Sequence, residues 1–341
     1  MTRIRHVIAS AFIAVISAES ALTQEGSPSP IPMSGKLVDI GGWKLHLDCT
    51  GTTRVGQPTV VLEAGAGDIS VEWSLVQPGI ARFARVCSYD RAGAGWSELG
   101  PYPRTFHQIA YELHTLLEKA GEQKPYLMVA HSFGGWPVRT FQIEYPADVV
   151  GMVLVEAGQD DPLRMLGDGK VVHASDLVRG TPIPPVKTSG ALRVEDIPPN
   201  TINAIRSGMA ESARHALEPP RDKLPPDAQK VRLWSFSQIG IYVNGNPAEI
   251  EELAWLRTER KKSEHPLGSL PLIVYTRGKS EDDGPDSKAN EADRFKQHEA
   301  VAQMSTRGQH LVAAKSGHHI QIEEPELVVA AVREVLGAIK P

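Results

Sequence analysis

Cysteine is nearly absent from this chain. Cys49 and Cys87 are the two among 341 residues, which excludes a disulfide-built miniprotein and a cysteine-rich zinc site. Charge of either sign is also in short supply as an excess: 41 acidic side chains face 36 basic ones, for a formal charge of −5. Without a long Lys/Arg run there is no electrostatic footprint for nucleic acid or for an anionic membrane. The apolar stretch at the N-terminus, Val7 to Ala18, falls short of the ~20 residues that a membrane-spanning helix needs. No internal repeat or low-complexity tract is visible. What is present is a globular balance, 41% hydrophobic with 30 Gly and 26 Pro, which sets aside disordered, collagen-like and polytopic membrane chains. The length suits one large α/β domain carrying an insertion, or two domains.

Arg3, Arg5 and His6 precede the apolar stretch, and the small residues Ala18, Ser20 and Ala21 follow it. This pattern is that of a secretory signal peptide over residues 1–20. Residues 21–34, with Ser27-Pro28-Ser29-Pro30-Ile31-Pro32, read as an extended leader. The expected localisation is secreted or periplasmic, with no integral membrane segment once the signal is cleaved.

Beyond the leader, apolar runs and amphipathic stretches alternate. An antiparallel hairpin is expected from Leu37 to Leu47, turning at Gly41-Gly42, with strands at Thr59 to Leu62, Arg85 to Tyr89, Tyr126 to Ala130, Val149 to Val155, Leu272 to Tyr275 and Leu311 to Ala314. A helix is expected from Thr105 to Ala120, with a Thr105/Gln108 capping box and Gly121 closing it, and another from Pro325 to Leu336. Strands alternating with helices indicate a mostly parallel sheet covered on both faces. The rhythm breaks between Ala157 and His265, where Pro182, Pro184, Pro185, Pro198, Pro199, Pro219, Pro220, Pro225 and Pro226 punctuate short amphipathic pieces. One piece predicts a helix with Asn246 as N-cap, Pro247 at its first position, Glu249 completing the box, and Glu249, Glu251 and Glu252 on a solvated outer face.

The chemistry concentrates at Tyr126-Leu-Met-Val-Ala-His-Ser-Phe-Gly-Gly135, an apolar strand that runs into a helix through Ser132. A serine on so sharp a turn needs small neighbours for the backbone to lift its hydroxyl clear of the sheet, and Ala130 and Gly134 supply them. A serine nucleophile also needs a base. His318 follows Gly317 just after the last strand, and a Pro-headed helix lies downstream, so His318 is set on a turn at the sheet's carboxyl edge. His298, His310 and His319 are expected in packing or surface roles.

With these residues in view the chain resembles the α/β-hydrolase family, in its cap-bearing serine hydrolase branch. The resemblance runs from about Lys36 to Ile339 and rests on Val60-Val-Leu-Glu-Ala-Gly-Ala66, Ser88-Tyr-Asp-Arg-Ala-Gly-Ala-Gly-Trp-Ser97, Ala130-His-Ser-Phe-Gly-Gly135 and Ser316-Gly-His-His319. It implies an α/β-hydrolase fold with a mostly parallel eight-stranded sheet, helices on both faces and an inserted, mainly helical cap. The expected division is a core of residues 35–156 and 266–341 with a cap of residues 157–265. The resemblance further implies a Ser/acid/His triad in that chain order, no cofactor and no metal. The loop Ala64-Gly65-Ala66 corresponds to the family's oxyanion loop, so the amides of Ala66 and Phe133 would donate to the oxyanion. Asp90 and its glycine-rich loop read as structural, fixing backbone amides beneath the site.

For the triad acid the resemblance leaves two places. One is the loop after Leu272 to Tyr275, with Glu281, Asp282, Asp283 and Asp286; the other is Glu156, directly after Val149 to Val155. Glu156 is preferred because it leaves a rigid apolar strand, whereas the acidic loop has no apolar anchor. The family's strand order sets the second strand beside the fourth, which would bring Cys49 and Cys87 together as a disulfide on export.

Serine at the elbow, in place of the Asp of the family's dehalogenases and epoxide hydrolases, implies acyl transfer to water through an acyl-enzyme. A carboxylic ester of a small to medium organic molecule is the expected substrate, since its alkoxide leaves without the full protonation an amine needs. Rivals are an aminopeptidase, an amidase or lactonase, a carbon–carbon bond hydrolase using the same triad, and, more remotely, a non-catalytic hydrolase-like binding protein. An aminopeptidase would need cap carboxylates such as Glu249, Glu251 or Glu252 to hold the substrate's ammonium.

Overall fold

The computed structural model describes residues 29–167, 169–280 and 287–339. Residues 1–20, expected to be a signal peptide, most of the expected leader, and Glu281, Asp282, Asp283 and Asp286 lie outside the described residues.

A hairpin opens the fold. Strands β1 (Lys36–Asp39) and β2 (Lys44–Thr50) pair antiparallel, and Gly41 and Gly42 turn between them at φ 131° and 107°, values closed to most L-residues. Alternation follows: β3 (Thr59–Glu63), α1 (Gln77–Ala81), β4 (Val86–Tyr89), α2 (Phe106–Ala120), β5 (Tyr126–His131), α3 (Gly135–Glu144) and β6 (Val149–Val155). A small hairpin, β7 (Leu163–Met165) with β8 (Val171–His173), leads into α4 (Pro199–His215), α5 (Pro226–Phe236) and α6 (Glu249–Arg260). The chain then returns to the sheet with β9 (Leu272–Arg277), α7 (Ser287–Ala302), β10 (Gly308–Ala313), α8 (Ile320–Glu323) and α9 (Pro325–Ala338).

The sheet has eight strands in the order β1-β2-β4-β3-β5-β6-β9-β10, with the β1–β2 and β2–β4 pairs antiparallel and the other pairs parallel. Successive residues of β3 serve opposite faces. Val61 joins a core with Leu113 and Leu116 of α2 and Phe141 of α3, while Val60 and Leu62 join one with Ile80 of α1 and Val332 of α9. Helices on both faces explain why β3 is buried throughout, with an unbroken apolar run from Val60 to Leu62 instead of alternation.

Two helix starts differ from the sequence expectation. At α2, Thr105 Oγ1 accepts from the Gln108 amide (3.0 Å) and Gly121 closes the helix at φ 77°, as expected. The Gln108 side chain, however, does not return to Thr105; it bonds the backbone of Lys187. The second donor set is met from afar: Glu252 of α6 accepts from the amides of Phe106 (2.9 Å) and His107 (3.1 Å). Glu252 is thus fully buried, not on a solvated face, because its partners come from a helix some 145 residues earlier that local periodicity cannot show. The α6 helix itself starts later than expected, at Glu249. Asn246 Oδ1 accepts from the Ala248 amide in a local turn, and Asn246 Nδ2 supports Glu252 (2.7 Å). Glu249 pairs with Arg164, and Glu251 accepts from the Arg179 amide.

Cys49 and Cys87 face each other in the β2–β4 register and are bridged. The closed loop spans 38 residues. Chain-entropy arithmetic for that length gives about 4 kcal/mol, so reduction is expected to lower the unfolding free energy by about that much, read as a lower urea midpoint in dithiothreitol. An unmoved midpoint would show that the bridge contributes nothing to stability.

Candidate active site

Ser132 directly follows β5 with φ 50° and Glu156 directly follows β6 with φ 45°; among the described residues they are the two non-glycine positions with positive φ. Each costs of the order of 1 kcal/mol or more, and such strain collects where a site requires it. Both follow neighbouring strands, since His131 pairs with Val155 across β5 and β6. The strained pair therefore stands side by side at the sheet's carboxyl edge. Glycines make the turn possible: a Cβ on Gly134 would fall 2.6 Å from the Glu63 side chain, and one on Gly135 would fall 2.6 Å from Ala157 Cβ.

His318 meets Ser132 from the loop between β10 and α8, with Nε2 2.9 Å from the Ser132 hydroxyl oxygen. That loop is braced from below by acids: Glu324 accepts from the Lys315 amide (2.9 Å) and the Ser316 hydroxyl (2.7 Å), and Glu323 from the Gly317 amide (2.7 Å). On its other side His318 turns Nδ1 toward Glu156 Oε1 at 3.9 Å, a charge contact longer than a hydrogen bond. Glu156 Oε2 accepts from the Arg277 amide at 2.7 Å, and Arg294 Nε lies 3.4 Å from Oε1. Burial alone would raise the Glu156 carboxyl, but His318, His298, the Arg277 amide and Arg294 outweigh it and hold its pKa below the ordinary value. The group stays an anion next to the histidine.

The loop after β3 packs against this elbow. Glu63 pairs with Ala130 across β3 and β5, and a Cβ on Gly65 would sit 2.8 Å from His131 Nδ1. Ala66 lies in the exposed turn of this loop, and Phe133 is the second residue of the short helix that begins at Ser132, where first-turn amides have no carbonyl of their own helix to meet. Arg91, which sequence reasoning passed over, clamps the loop: its guanidinium donates to the carbonyls of Ala64 (2.7 Å) and Gly65 and pairs with the buried Glu63, which Tyr89 also contacts. Asp90 has the structural role expected of it, accepting from the amides of Ser70 (2.7 Å) and Trp96 (3.1 Å) and pairing with His46.

The remaining histidines do not reach the Ser132 hydroxyl through any described bond. His298 is buried between the Ala157 carbonyl (2.8 Å) and Thr276 (2.7 Å), and His310 bonds the same threonine (2.7 Å). His319 is largely buried, and that burial, aided by Arg221, pushes its pKa down to about 3. His131, adjacent to the serine, was also missed. Burial, with His318 and His319 adding to it, holds His131 far below the usual histidine value, and Nε2 of the neutral ring donates to the His318 carbonyl (2.9 Å).

An eight-stranded sheet with a serine on a strained turn after its fifth strand and a histidine after its last defines a class, and the sequence agrees. The family model of the alpha/beta hydrolase fold matches residues 58–178, and the chain has that fold. It is similar to an AB hydrolase superfamily protein of Gibberella zeae, 26% identical over 308 residues that cover 87% of this chain and 92% of the relative. Among solved structures it resembles a thermophilic esterase from Thermogutta terrifontis, with TM-score 0.61 and 18% identity over 90% of this chain and all of that one. It also resembles an enol-lactonase from Burkholderia xenovorans, with TM-score 0.59 and 16% identity over 89% of this chain and all of that one. At these identities the structural likeness shows the shared fold.

Proposed function

We propose that the protein is a serine hydrolase cleaving carboxylic esters of small to medium organic molecules through an acyl-enzyme. The observation that carries this reading is the 2.9 Å contact between His318 Nε2 and the hydroxyl of a serine held at φ 50°. In the proposed sequence His318 takes the Ser132 proton as the oxygen attacks the ester carbonyl, forming a tetrahedral oxyanion that accepts from the amides of Ala66 and Phe133. Collapse expels the alcohol, which receives the proton from His318. Water, deprotonated by the same ring, then releases the acid and restores Ser132. Glu156 holds the ring's orientation and stabilises the imidazolium in each half.

Residues 157–265 act in this reading as the cap that encloses the acyl pocket. Contacts from these residues reach the segments around the site: Glu252 accepts from the amides at the start of α2, the Ser235 hydroxyl accepts from the Gly95 amide (3.1 Å), and Arg232 pairs with Asp68. Phe133 and Trp136 beside Ser132 pack with Phe106 and with Leu253 and Leu256 of α6, which supports an apolar acyl side. The cap carboxylates that an aminopeptidase would use are engaged elsewhere: Glu252 on two backbone amides, Glu249 on Arg164 and Glu251 on the Arg179 amide. Export is part of the proposal, and the Cys49–Cys87 bridge supports an oxidising compartment.

A fluorophosphonate probe should label Ser132, and p-nitrophenyl esters of graded acyl length should be turned over while amino-acid arylamides are not. A protein that ignores probe and esters alike would be a binding protein on a hydrolase fold. Preferred turnover of the arylamides would replace the ester reading.

A further inference from the structure

Beneath the elbow lies a buried ionic cluster that the proposed reaction does not use. Asp68 closes the oxyanion turn, its amide donating to the Gly65 carbonyl (3.3 Å). Its carboxylate receives two arginines from residues 157–265: Arg232 of α5 at 2.9 Å and Arg221 at 3.2 Å. Arg232 also pairs with Glu72 and donates to the Ala216 carbonyl (2.6 Å), and its guanidinium stacks on Phe236. Asp68, Glu72 and Arg232 are each no more than 3% exposed. On the opposite side Asp68 Oδ2 lies 3.8 Å from His131 Nδ1, and His131 holds the backbone carbonyl of His318. A Cβ on Gly65 would collide with both Asp68 Oδ2 (2.7 Å) and His131 Nδ1 (2.8 Å), so the three groups are pressed together.

Buried ion pairs of this kind add little net stability compared with apolar residues of the same volume, because desolvation offsets their attraction. What they do supply is a fixed geometry, and this one includes the turn after β3 through Asp68 and reaches the His318 loop through His131, which lies against Asp68 and bonds the His318 carbonyl. We infer that Asp68, gripped by Arg232 and Arg221, is a positioning residue that holds the oxyanion turn and the His318 loop in register with Ser132, so that the inserted segment is required for the chemical step and not for substrate choice alone. The inference rests on the ester-hydrolase reading for its reaction, while its structural half stands apart. Burial pushes the Asp68 carboxyl up, but Arg232 and Arg221 outweigh it and hold it well below the usual range, which keeps the hub charged.

The test compares Asp68→Asn, Arg232→Met and Arg232→Lys with the wild type on p-nitrophenyl acetate, whose acyl group is too small to use a cap, and on p-nitrophenyl octanoate. Hydrogen exchange of the peptides spanning 64–70 and 314–320 is read alongside. Misplacing reacting groups by about 1 Å costs about 10²-fold. Asp68→Asn and Arg232→Met are therefore expected to lower kcat on the acetate by about 10- to 100-fold with KM little changed, and to speed exchange in both peptides; Arg232→Lys recovers part of the loss. Unchanged kcat on the acetate, with KM raised on the octanoate alone, would overturn the inference and leave the segment a binding lid. Should Arg232→Met fail to fold, the near-isosteric Asp68→Asn decides. If the wild type reacts with neither ester nor fluorophosphonate, the ester-hydrolase reading fails, and exchange decides the hub: faster in both peptides upholds it, unchanged in Asp68→Asn overturns it.

Discussion

Ser132→Ala is expected to lose about 10⁶-fold in ester turnover, the scale on which removal of a serine-triad nucleophile is felt. The deleted atom is one oxygen on a half-buried side chain, so the thermal transition should stay near that of the wild type. His318→Ala should fall almost as far, because without its base the hydroxyl keeps its proton. His319→Ala should retain most turnover, since that ring is 5.2 Å from His318 and makes no described bond to the nucleophile. Steady-state rates on an activated ester check all three. Comparable losses for both histidines would dissolve the distinction between them.

Glu156→Gln should cost about 10⁴-fold, as loss of the orienting carboxylate does in serine triads. The amide keeps the size of the side chain and can still accept from the Arg277 amide. It removes the charge next to the imidazolium. Glu281→Gln, Asp282→Asn, Asp283→Asn and Asp286→Asn should each stay near the wild type. A large loss at one of those four, with Glu156→Gln active, would move the acid to the later loop and leave Ser132 and His318 as they stand. The φ of 45° at Glu156 is the structural reason for preferring it: a bulky side chain tolerates the left-handed region only where its surroundings hold it there.

The parts of the site legible in the sequence are those fixed by neighbours along the chain. Ser132 declared itself because a strand, small residues and a helix must adjoin it, and His318 because a strand, a glycine and a Pro-headed helix frame it. The hairpin, the β3 run and the helix closed by Gly121 were legible for the same reason. Arg91 lay in a quoted segment, yet only the folded loop shows it clamping Ala64 and Gly65. His131 stands next to Ser132, but its partner is a carbonyl 187 positions later. Arg232 carries no local signal at all: one arginine in an amphipathic helix looks solvated until Asp68, 164 residues away, is found against it. Glu252 misled for that same reason. A charge on a helix has no sequence pattern that distinguishes water from a distant amide.

That remote contact bears on how the molecule comes apart. Glu252 caps α2, and α2 packs against the central strands through Leu113, Leu116 and Leu117. Were residues 157–265 to peel away, two amides at the head of α2 would lose their acceptor, each at about 1–3 kcal/mol if it stays buried, and the departing segment would give up the donors to its own carboxylate. Opening is therefore penalised on both sides of the seam. Although the chain is interrupted in sequence, its insertion and its sheet should melt in a single calorimetric transition, and limited proteolysis should not release the insertion as a folded fragment.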